Sequence, residues 1–262
     1  MDGTETTLKQ FSHTFLKDSF YWIKLIETSD QGCIDSVSNW LVVHPHPIID
    51  FNINDTQQCL RQNQFEITNY TRVKYGRSWG EWEFGDGIKD TNYETSHRYL
   101  KHGRYPITMR AVTNYGCADT AVKWIRVGAM PEVSFYTNDQ GQCFRDQDFI
   151  FFNTSKILEG DYNLTWNFNN NNWIKSNNDQ KFTFTDTGSQ LIRLVAVSDL
   201  GCSDSMTQSL FVNPNPKSIL NINDSDQCIN AQDFIFKAQS NISRGKIISH
   251  QWNLDEGNLR IN

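Results

Sequence analysis

The sequence predicts an all-β protein of tandem antiparallel β-sandwiches, and three observations support this fold class. Landmark residues recur every 84–85 positions, which indicates one structural unit used repeatedly. Within a unit, short segments alternate apolar and polar residues and are separated by turn residues, while no amphipathic helical period of useful length occurs. The landmarks are the glycine-cysteine pairs at Cys33, Cys117 and Cys202, the glutamine-cysteine pairs at Cys59, Cys143 and Cys228, and the prolines Pro47, Pro131 and Pro216.

The first half of the unit at 47–130 contains three predicted strands. An apolar stretch over 48–53 follows a proline and begins the first strand, and residues 54–58 are expected to form a turn. The alternation over 65–69 is typical of a half-buried strand. Residues 79–84 form the third strand, which ends at the tight turn 85–87.

The second half of the unit contains two long predicted strands. Tyr105, Ile107, Met109 and Ala111 alternate with polar or small residues. Gly116 turns the chain, and 121–127 forms the closing strand. About seven short strands in a unit of this size are typical of an antiparallel β-sandwich.

The period divides the chain into two complete and two incomplete units. Residues 47–130 and 131–214 are complete, whereas 1–46 match only the second half of a unit and 215–262 only the first half. Half a sandwich leaves an apolar face and strand edges uncovered. We therefore expect the chain to be a window of a longer repetitive protein, with completion of the halves by a neighbouring molecule as the alternative.

The linkers between units are short and contain proline. They run over 43–47, 127–131 and 212–216. Links of this length and composition are stiff. The sequence therefore predicts sandwiches arranged end to end as a rod, with each unit adding about 33 Å, the length of a ten-residue strand.

Charge and hydropathy exclude two classes of partner. The net charge is −6 with no basic stripe, which argues against nucleic acid. No apolar run approaches the ~20 residues of a membrane span, so we expect no direct insertion into a membrane.

The six cysteines form two periodic series, which favours disulfides in an oxidising compartment. No Cys-x-x-Cys motif occurs, and therefore a zinc site is a less favoured interpretation of the cysteines than disulfides. Free thiols are the third alternative.

Residues 82–117 contain four motifs with a familiar order and spacing: Trp82-Glu83-Phe84-Gly85-Asp86-Gly87, His97-Arg98-Tyr99, Gly103-Arg104-Tyr105-Pro106-Ile107 and Gly116-Cys117-Ala118-Asp119-Thr120. With these motifs the segment resembles a PKD (polycystic kidney disease) domain. The resemblance implies an Ig-like sandwich. It is weaker for 131–214, where Trp166-Asn167-Phe168-Asn169-Asn170 replaces the glycine turn and Phe182 takes the place of His97. The last unit keeps Trp252-Asn253-Leu254-Asp255-Glu256-Gly257.

The paired cysteines resemble the variety of PKD repeat found in tandem in large Bacteroidota surface proteins, many exported by the type IX system. This resemblance implies an extracellular or cell-surface location and a non-catalytic stalk or filament of an adhesin or structural protein, without a cofactor. Such proteins serve attachment, gliding motility or surface-layer assembly. The alternative is an accessory spacer or carbohydrate-binding region of a secreted hydrolase. Expected partners are neighbouring repeats, surface glycans or other surface proteins, and copies that complete the terminal halves.

The resemblance leaves the disulfide pairing open. Pairing within a repeat joins Cys59 to Cys117 and Cys143 to Cys202, and it leaves Cys33 and Cys228 unpaired in this chain. In a strict Ig-like order, however, the first and last cysteines of one repeat lie at opposite ends of the sandwich. The alternative pairing then joins Cys59 to Cys202 and links neighbouring repeats.

Three tripeptides resemble the Asp-Ser/Thr-apolar O-glycosylation acceptor of secreted Bacteroidota proteins. They place the acceptors at Ser36, Thr120 and Ser205. The alternative is that Asp and Ser or Thr stabilise the start of a strand.

Several other polar and aromatic residues are candidates for functional sites. His97 and Asp86 are expected to be structural, because Phe182 takes the place of the histidine, and Asn170 and Glu256 that of the aspartate. The Asn-Asp pairs at 54–55, 138–139 and 223–224 supply too few oxygens for calcium. Trp79 and Trp173 lie outside the repeat register and are candidates for exposed sugar-binding residues. The sequence therefore predicts no catalytic and no metal site.

Overall fold

A computed structural model describes residues 3–169, 172–230 and 232–254. Every regular element among them is a β-strand, which confirms the all-β prediction. Within these ranges no helix is present that is long and apolar enough to cross a membrane. Asn170 and the final motif residues Asp255, Glu256 and Gly257 lie outside the described residues. The chain divides into two compact units, Met1–Ala129 and Met130–Asn262.

The first complete repeat is a two-layer sandwich. One layer has the strand order β4-β10-β9-β6-β7 and the other β3-β5-β8. The strands are β3 (Phe51–Ile53), β4 (Gln57–Cys59), β5 (Phe65–Asn69), β6 (Ser78–Glu83), β7 (Lys89–Asp90), β8 (Thr95–His97), β9 (Gly103–Thr113) and β10 (Ala118–Gly128).

The core of this sandwich consists of side chains from the facing sides of both layers. Phe51 and Phe65 come from the three-stranded layer, and Trp82 and Ile107 from the five-stranded layer. Alternate residues of a strand point to the same face, which explains why the alternating pattern of the sequence predicts this core. Burying each such side chain contributes roughly 1.5–3 kcal/mol.

The second complete repeat has the same plan. Its layers have the orders β12-β18-β17-β14-β15 and β11-β13-β16. The strands are β11 (Phe135–Thr137), β12 (Gly141–Cys143), β13 (Phe149–Asn153), β14 (Tyr162–Phe168), β15 (Asn172–Lys175), β16 (Gln180–Phe182), β17 (Gly188–Ser198) and β18 (Ser203–Asn213). Trp166 opposes Leu194 as Trp82 opposes Met109, and all four are buried, as expected from the sequence.

One strand of each repeat was missed by sequence reasoning. Residues 54–58 were expected to form a turn, but β4 occupies 57–59 and pairs in parallel with the end of β10. β12 pairs with β18 in the same way. The sandwiches are therefore antiparallel except for this pair. The pairing is invisible in sequence because its partner lies about 70 residues later in the chain.

In each complete repeat, one amide side chain makes two hydrogen bonds to the backbone of a residue distant in sequence. Asn63 is buried; its Nδ2 donates to the carbonyl of Tyr99, and its Oδ1 accepts from the amide of Tyr99. In the second repeat Gln147 makes the same pair of bonds to Phe184. A buried amide side chain is tolerated because its hydrogen bonds are satisfied.

The strands outside the complete repeats form two separate hairpins. β1 (Ser19–Thr28) pairs with β2 (Ile34–Val43), and β19 (Leu220–Ile222) pairs with β20 (Phe236–Ala238). Ile23 and Leu25 are 43% and 53% exposed, whereas the equivalent Ile107 and Met109 are 0% and 2% exposed. An apolar face that is core in the complete repeats is therefore uncovered in the first hairpin.

The first linker packs against the repeat that follows it. Pro45 and Pro47 are buried, and the ring of His44 stacks on Tyr115 with 3.7 Å between centroids. The Nδ1 of His46 lies 3.1 Å from the carbonyl oxygen of Ala118. These contacts add to the stiffness expected from the prolines.

Candidate functional site

The structure brings His97 and Asp86 together. Nε2 of His97 lies 2.7 Å from Oδ2 of Asp86, which joins β8 to the turn after β6. The imidazole stacks on Phe84 with 4.2 Å between ring centroids and 2° between planes. The pair therefore holds a turn against a strand, and a His–Asp pair alone lacks the nucleophile that a hydrolytic site requires.

The second repeat keeps the stack without the polar pair. Phe182 stacks on Phe168 with 4.2 Å between centroids and 5° between planes. The side chain at the position of His97 therefore packs as an aromatic ring on a core phenylalanine in both repeats. Only the packing is common to the two sandwiches.

Tyr99 lies next to this pair and is tied to it. Its hydroxyl donates to the carbonyl of Phe84 at 2.8 Å. Burial, followed by the nearby charge of Asp86, raises the pKa of the Tyr99 hydroxyl above its ordinary value. The phenol therefore stays protonated and acts as a donor, which suits a structural bond.

The Asn-Asp pairs act as turn clamps. Asn54 donates from Nδ2 to the carbonyl of Gln64 and accepts from the amide of Glu66. Asn138 and Asn223 make equivalent bonds to the strands that follow them. Within the described ranges, no group of three or more His, Cys, Asp or Glu side chains is placed to hold a metal ion.

The cysteines differ from the pairing expected within a repeat. Cys59 and Cys202 are each disulfide-bonded, whereas the other four have free thiols: Cys33, Cys117, Cys143 and Cys228. The prediction of Cys59–Cys117 and Cys143–Cys202 bonds is therefore wrong in this structure.

The strand topology explains this outcome. Cys117 directly precedes β10, while Cys59 pairs with Gly128 at its far end. Eleven residue steps along a strand separate them by roughly 36 Å, but bridged Cα atoms must lie within about 7 Å. Cys143 and Cys202 lie at opposite ends of β18 in the same way. The bond between Cys59 and Cys202 stays a prediction from the sequence.

Alkylation without reductant is expected to modify the four free cysteines and to spare Cys59 and Cys202. Cys117 is half-buried and should react more slowly than exposed Cys33. Adding reductant should lower the free energy of unfolding by about 2–4 kcal/mol. Peptide mapping reads the pairing directly, and recovery of a Cys59–Cys117 peptide would contradict the structure.

The proposed glycosylation acceptors lie on strands. Ser36, Thr120 and Ser205 are exposed at the third positions of β2, β10 and β18. The amides of Ser36 and Thr120 each donate a hydrogen bond to Oδ1 of the preceding aspartate, as the strand-start alternative expects. The exposed hydroxyls stay predicted acceptors.

Both tryptophans outside the repeat register are exposed. Trp79 on β6 is 61% exposed and Trp173 on β15 is 57% exposed. Trp79 also lines a cavity of about 210 Å³, together with the exposed Tyr93. Sequence reasoning found Trp79 but missed Tyr93, because the loop that carries Tyr93 has no motif.

The comparison with known families matches the first complete repeat. A family model described as the PKD domain covers residues 44–127, which are 84 of the 262 residues. This match confirms the PKD resemblance predicted for 47–130. No curated protein matches the chain.

Several solved structures are similar to parts of the chain. The PKD1 domain of Vibrio anguillarum Epp is 20% identical with a TM-score of 0.29, covering 32% of this chain and 96% of that one. The fibronectin(III)-like modules of Clostridium thermocellum CbhA are 15% identical with a TM-score of 0.34, covering 63% and 95%. A 1.5-MDa bacterial ice-binding adhesin is 8% identical with a TM-score of 0.33, covering 66% of each chain.

Proposed function

We propose that this chain is a non-catalytic extracellular repeat segment in the stalk or filament of a large bacterial surface adhesin or structural protein. The observation that supports this proposal most directly is the difference between the two complete repeats. They share strand order, register and an aromatic stack, but His97 of one is Phe182 of the other. Repeats that keep packing and exchange polar chemistry are suited to a scaffold.

An extracellular location is supported by the cysteines and by the PKD match. Disulfide bonds persist in oxidising compartments, and Cys59 and Cys202 are both disulfide-bonded. The likeness of 44–127 to the PKD domain agrees with this location. Export by a type IX system in a Bacteroidota host, with glycosylation at Ser36, Thr120 and Ser205, is the specific form of the proposal.

A rod-like arrangement is supported by the linkers. Each contains proline, and the first is held by the stack of His44 on Tyr115. Stiff links are suited to a stalk that transmits force, whereas flexible links would form a tether.

The partners we propose for the terminal hairpins are complementary half-repeats. Ile23 and Leu25 occupy the positions of core residues in the complete units but are exposed. Phe236 on β20 is likewise exposed at a core position. Each hairpin carries the half that the other lacks, and each can therefore be completed by the opposite hairpin of another copy of the chain.

The second candidate function is a sugar-binding accessory region of a secreted hydrolase. The exposed aromatic side chains of Trp79 and Trp173 favour it. This alternative shares the extracellular location and differs in having a ligand.

Antibodies raised against residues 47–130 are expected to label intact cells of the organism that carries this chain. The reason is that a surface stalk presents its repeats to the medium. A cytosolic marker, labelled only after permeabilisation, is the control. Labelling of the repeat only after permeabilisation would contradict the proposed location.

A further inference from the structure

A cavity of about 210 Å³ lies at the edge of the five-stranded layer in the first complete repeat. Its apolar lining consists of the buried Met109 and Ala111 and the half-buried Gly80, and two further lining residues, Trp79 and Tyr93, are 61% and 64% exposed. The remaining lining residues carry hydroxyl or amide groups: Asn69, Thr71, Ser78, Thr91 and Asn92. None of the lining residues is charged.

The cavity borders an open stretch of β6. The amide of Asn114 donates to the carbonyl of Arg77, and therefore Trp79 and Glu81 also bond towards β9. The N–H and C=O of Gly80 consequently face the outer edge. Among the described residues, no hydrogen bond from the loop 91–94 reaches Gly80.

The second repeat fills the equivalent place with its own atoms. Leu164 replaces Gly80 and is buried. Its amide donates to Oδ1 of Asn177, and its carbonyl accepts from the amide of Ser176. The edge that is open at Gly80 is thus closed by the chain itself in the second repeat.

The route of the loop after β7 accounts for this difference. The Trp82 indole Nε1 donates to the carbonyl of Asn92 at 2.9 Å, which draws the loop towards the core. In the second repeat the loop after β15 instead bonds to Leu164 on β14. Nε1 of Trp166 is buried and has no partner in the structure. The first repeat therefore satisfies its tryptophan and leaves the edge beside Gly80 open.

Asp90 holds the loop in place. Its carboxylate accepts hydrogen bonds from the amides of Thr91 and Asn92 and from the hydroxyl of Thr95. The Thr95 bond and then the Asn92 amide hold the pKa of Asp90 below its ordinary value of 3.8. The carboxylate is therefore charged at neutral pH, and the wall that carries Tyr93 is preorganised.

One polar atom beside the cavity lacks a partner. Oγ1 of Thr71 is buried, and no hydrogen bond to it is present in the structure. A buried hydroxyl without a partner is unfavourable. A ligand hydroxyl could satisfy it.

We propose that this cavity binds one ring of a neutral carbohydrate. The C–H face of a pyranose packs against aromatic rings, which Trp79 and Tyr93 supply, and its hydroxyls bond to amide and hydroxyl side chains. The absence of charged lining residues disfavours anionic sugars and phosphates. The volume lies below the ~300–1,000 Å³ of drug-sized ligand sites, and therefore fits a single ring.

This inference deepens the second candidate function, because it locates a sugar site beside Trp79, and it does not depend on the proposed scaffold function. If the chain is a stalk without a ligand, antibodies against residues 47–130 would still label it on intact cells. Conversely, a sugar site is measured on the isolated chain whatever its location in the cell.

The test is titration calorimetry and saturation-transfer NMR of the full chain with tetrasaccharides of glucose, mannose and N-acetylglucosamine. At least one is expected to bind with a dissociation constant on the order of 1 mM. Trp79→Ala and Tyr93→Ala should each weaken binding by about tenfold or more. Trp124 is an exposed tryptophan that does not line the cavity, and Trp124→Ala is therefore the matched control that should leave binding unchanged.

A double variant tests the cavity itself. Gly80→Leu with Met109→Leu copies Leu164 and Leu194 of the second repeat. The second change is needed because a Cβ on Gly80 would lie 2.1 Å from Cε of Met109. The variant should remain folded, as judged by its unfolding transition, and lose binding.

Three outcomes overturn the proposal. The first is that none of the three sugars binds the unmodified chain. The second is that binding survives both Trp79→Ala and Tyr93→Ala. The third is that an extended peptide, and no sugar, binds at the edge beside Gly80, which would assign the cavity to strand addition.

Discussion

Replacing Trp82 with alanine is expected to destabilise the first complete repeat by about 3–5 kcal/mol and to leave the second repeat almost unchanged. Trp82 is fully buried and meets Phe51 edge to face with 5.1 Å between ring centroids. Its removal also deprives the carbonyl of Asn92 of a donor. The two repeats have separate core clusters, so each should lose stability on its own.

Scanning calorimetry measures this effect as a downward shift of one transition. Trp166→Ala should shift the other transition, since Trp166 has the equivalent position in the second core. Trp124→Ala is the matched control on an exposed position and should stay within about 0.5 kcal/mol. Equal shifts of both transitions by Trp82→Ala would show that the cores do not unfold independently.

A milder pair of variants separates packing from hydrogen bonding. Trp82→Phe removes a donor from the carbonyl of Asn92, and it should lower the free energy of unfolding more than Trp166→Phe does. The indole nitrogen of Trp166 has no partner in the structure, so its removal also removes an unsatisfied group. The opposite ranking would contradict the hydrogen-bond assignment.

The full chain is expected to associate with itself as its concentration rises, because each terminal hairpin exposes a face that is core in the complete repeats. Leu25→Asp should reduce this association by at least about tenfold, since a charge cannot be buried in the completed core without a partner. Ile26→Asp is the control, because Ile26 is exposed on the opposite face of the same strand.

Sedimentation velocity over a concentration series distinguishes the outcomes. Contact between different patches of two copies lets assembly continue into a ring or filament. Larger species should therefore form in the unmodified chain and in Ile26→Asp, and Phe236→Asp should prevent them as Leu25→Asp does. A monomer at every concentration would contradict completion by a second copy.

Much of the fold follows from local sequence signals. Alternation over 65–69 and 105–111 predicted strands that the structure contains, because strand residues face the core at every second position. The Gly85-Asp86-Gly87 turn was predicted from its two glycines. In the structure Gly85 and Gly87 have φ values of 80° and 94°, a region that favours glycine. The 84-residue repeat then carries each assignment to the next unit.

The candidate sites were less accessible to sequence reasoning. Trp79 was identified because it departs from the repeat register, but the cavity beside it depends on how the loop after β7 runs. That loop carries Tyr93 and is directed by the bond from Trp82 to Asn92. A single hydrogen bond between a core side chain and a loop carbonyl leaves no pattern in sequence.

The sequence by itself determined the fold class, the repeat length and the places of the buried tryptophans, because these depend on periodicity and on residues near one another in the chain. Only the tertiary structure decided the bonding state of the cysteines and the open edge at Gly80. Cys59 lies beside Gly128 because β4 pairs in parallel with the end of β10, which separates it from Cys117. Such pairings join residues far apart in the chain, and their geometry is set by the closed sandwich as a whole.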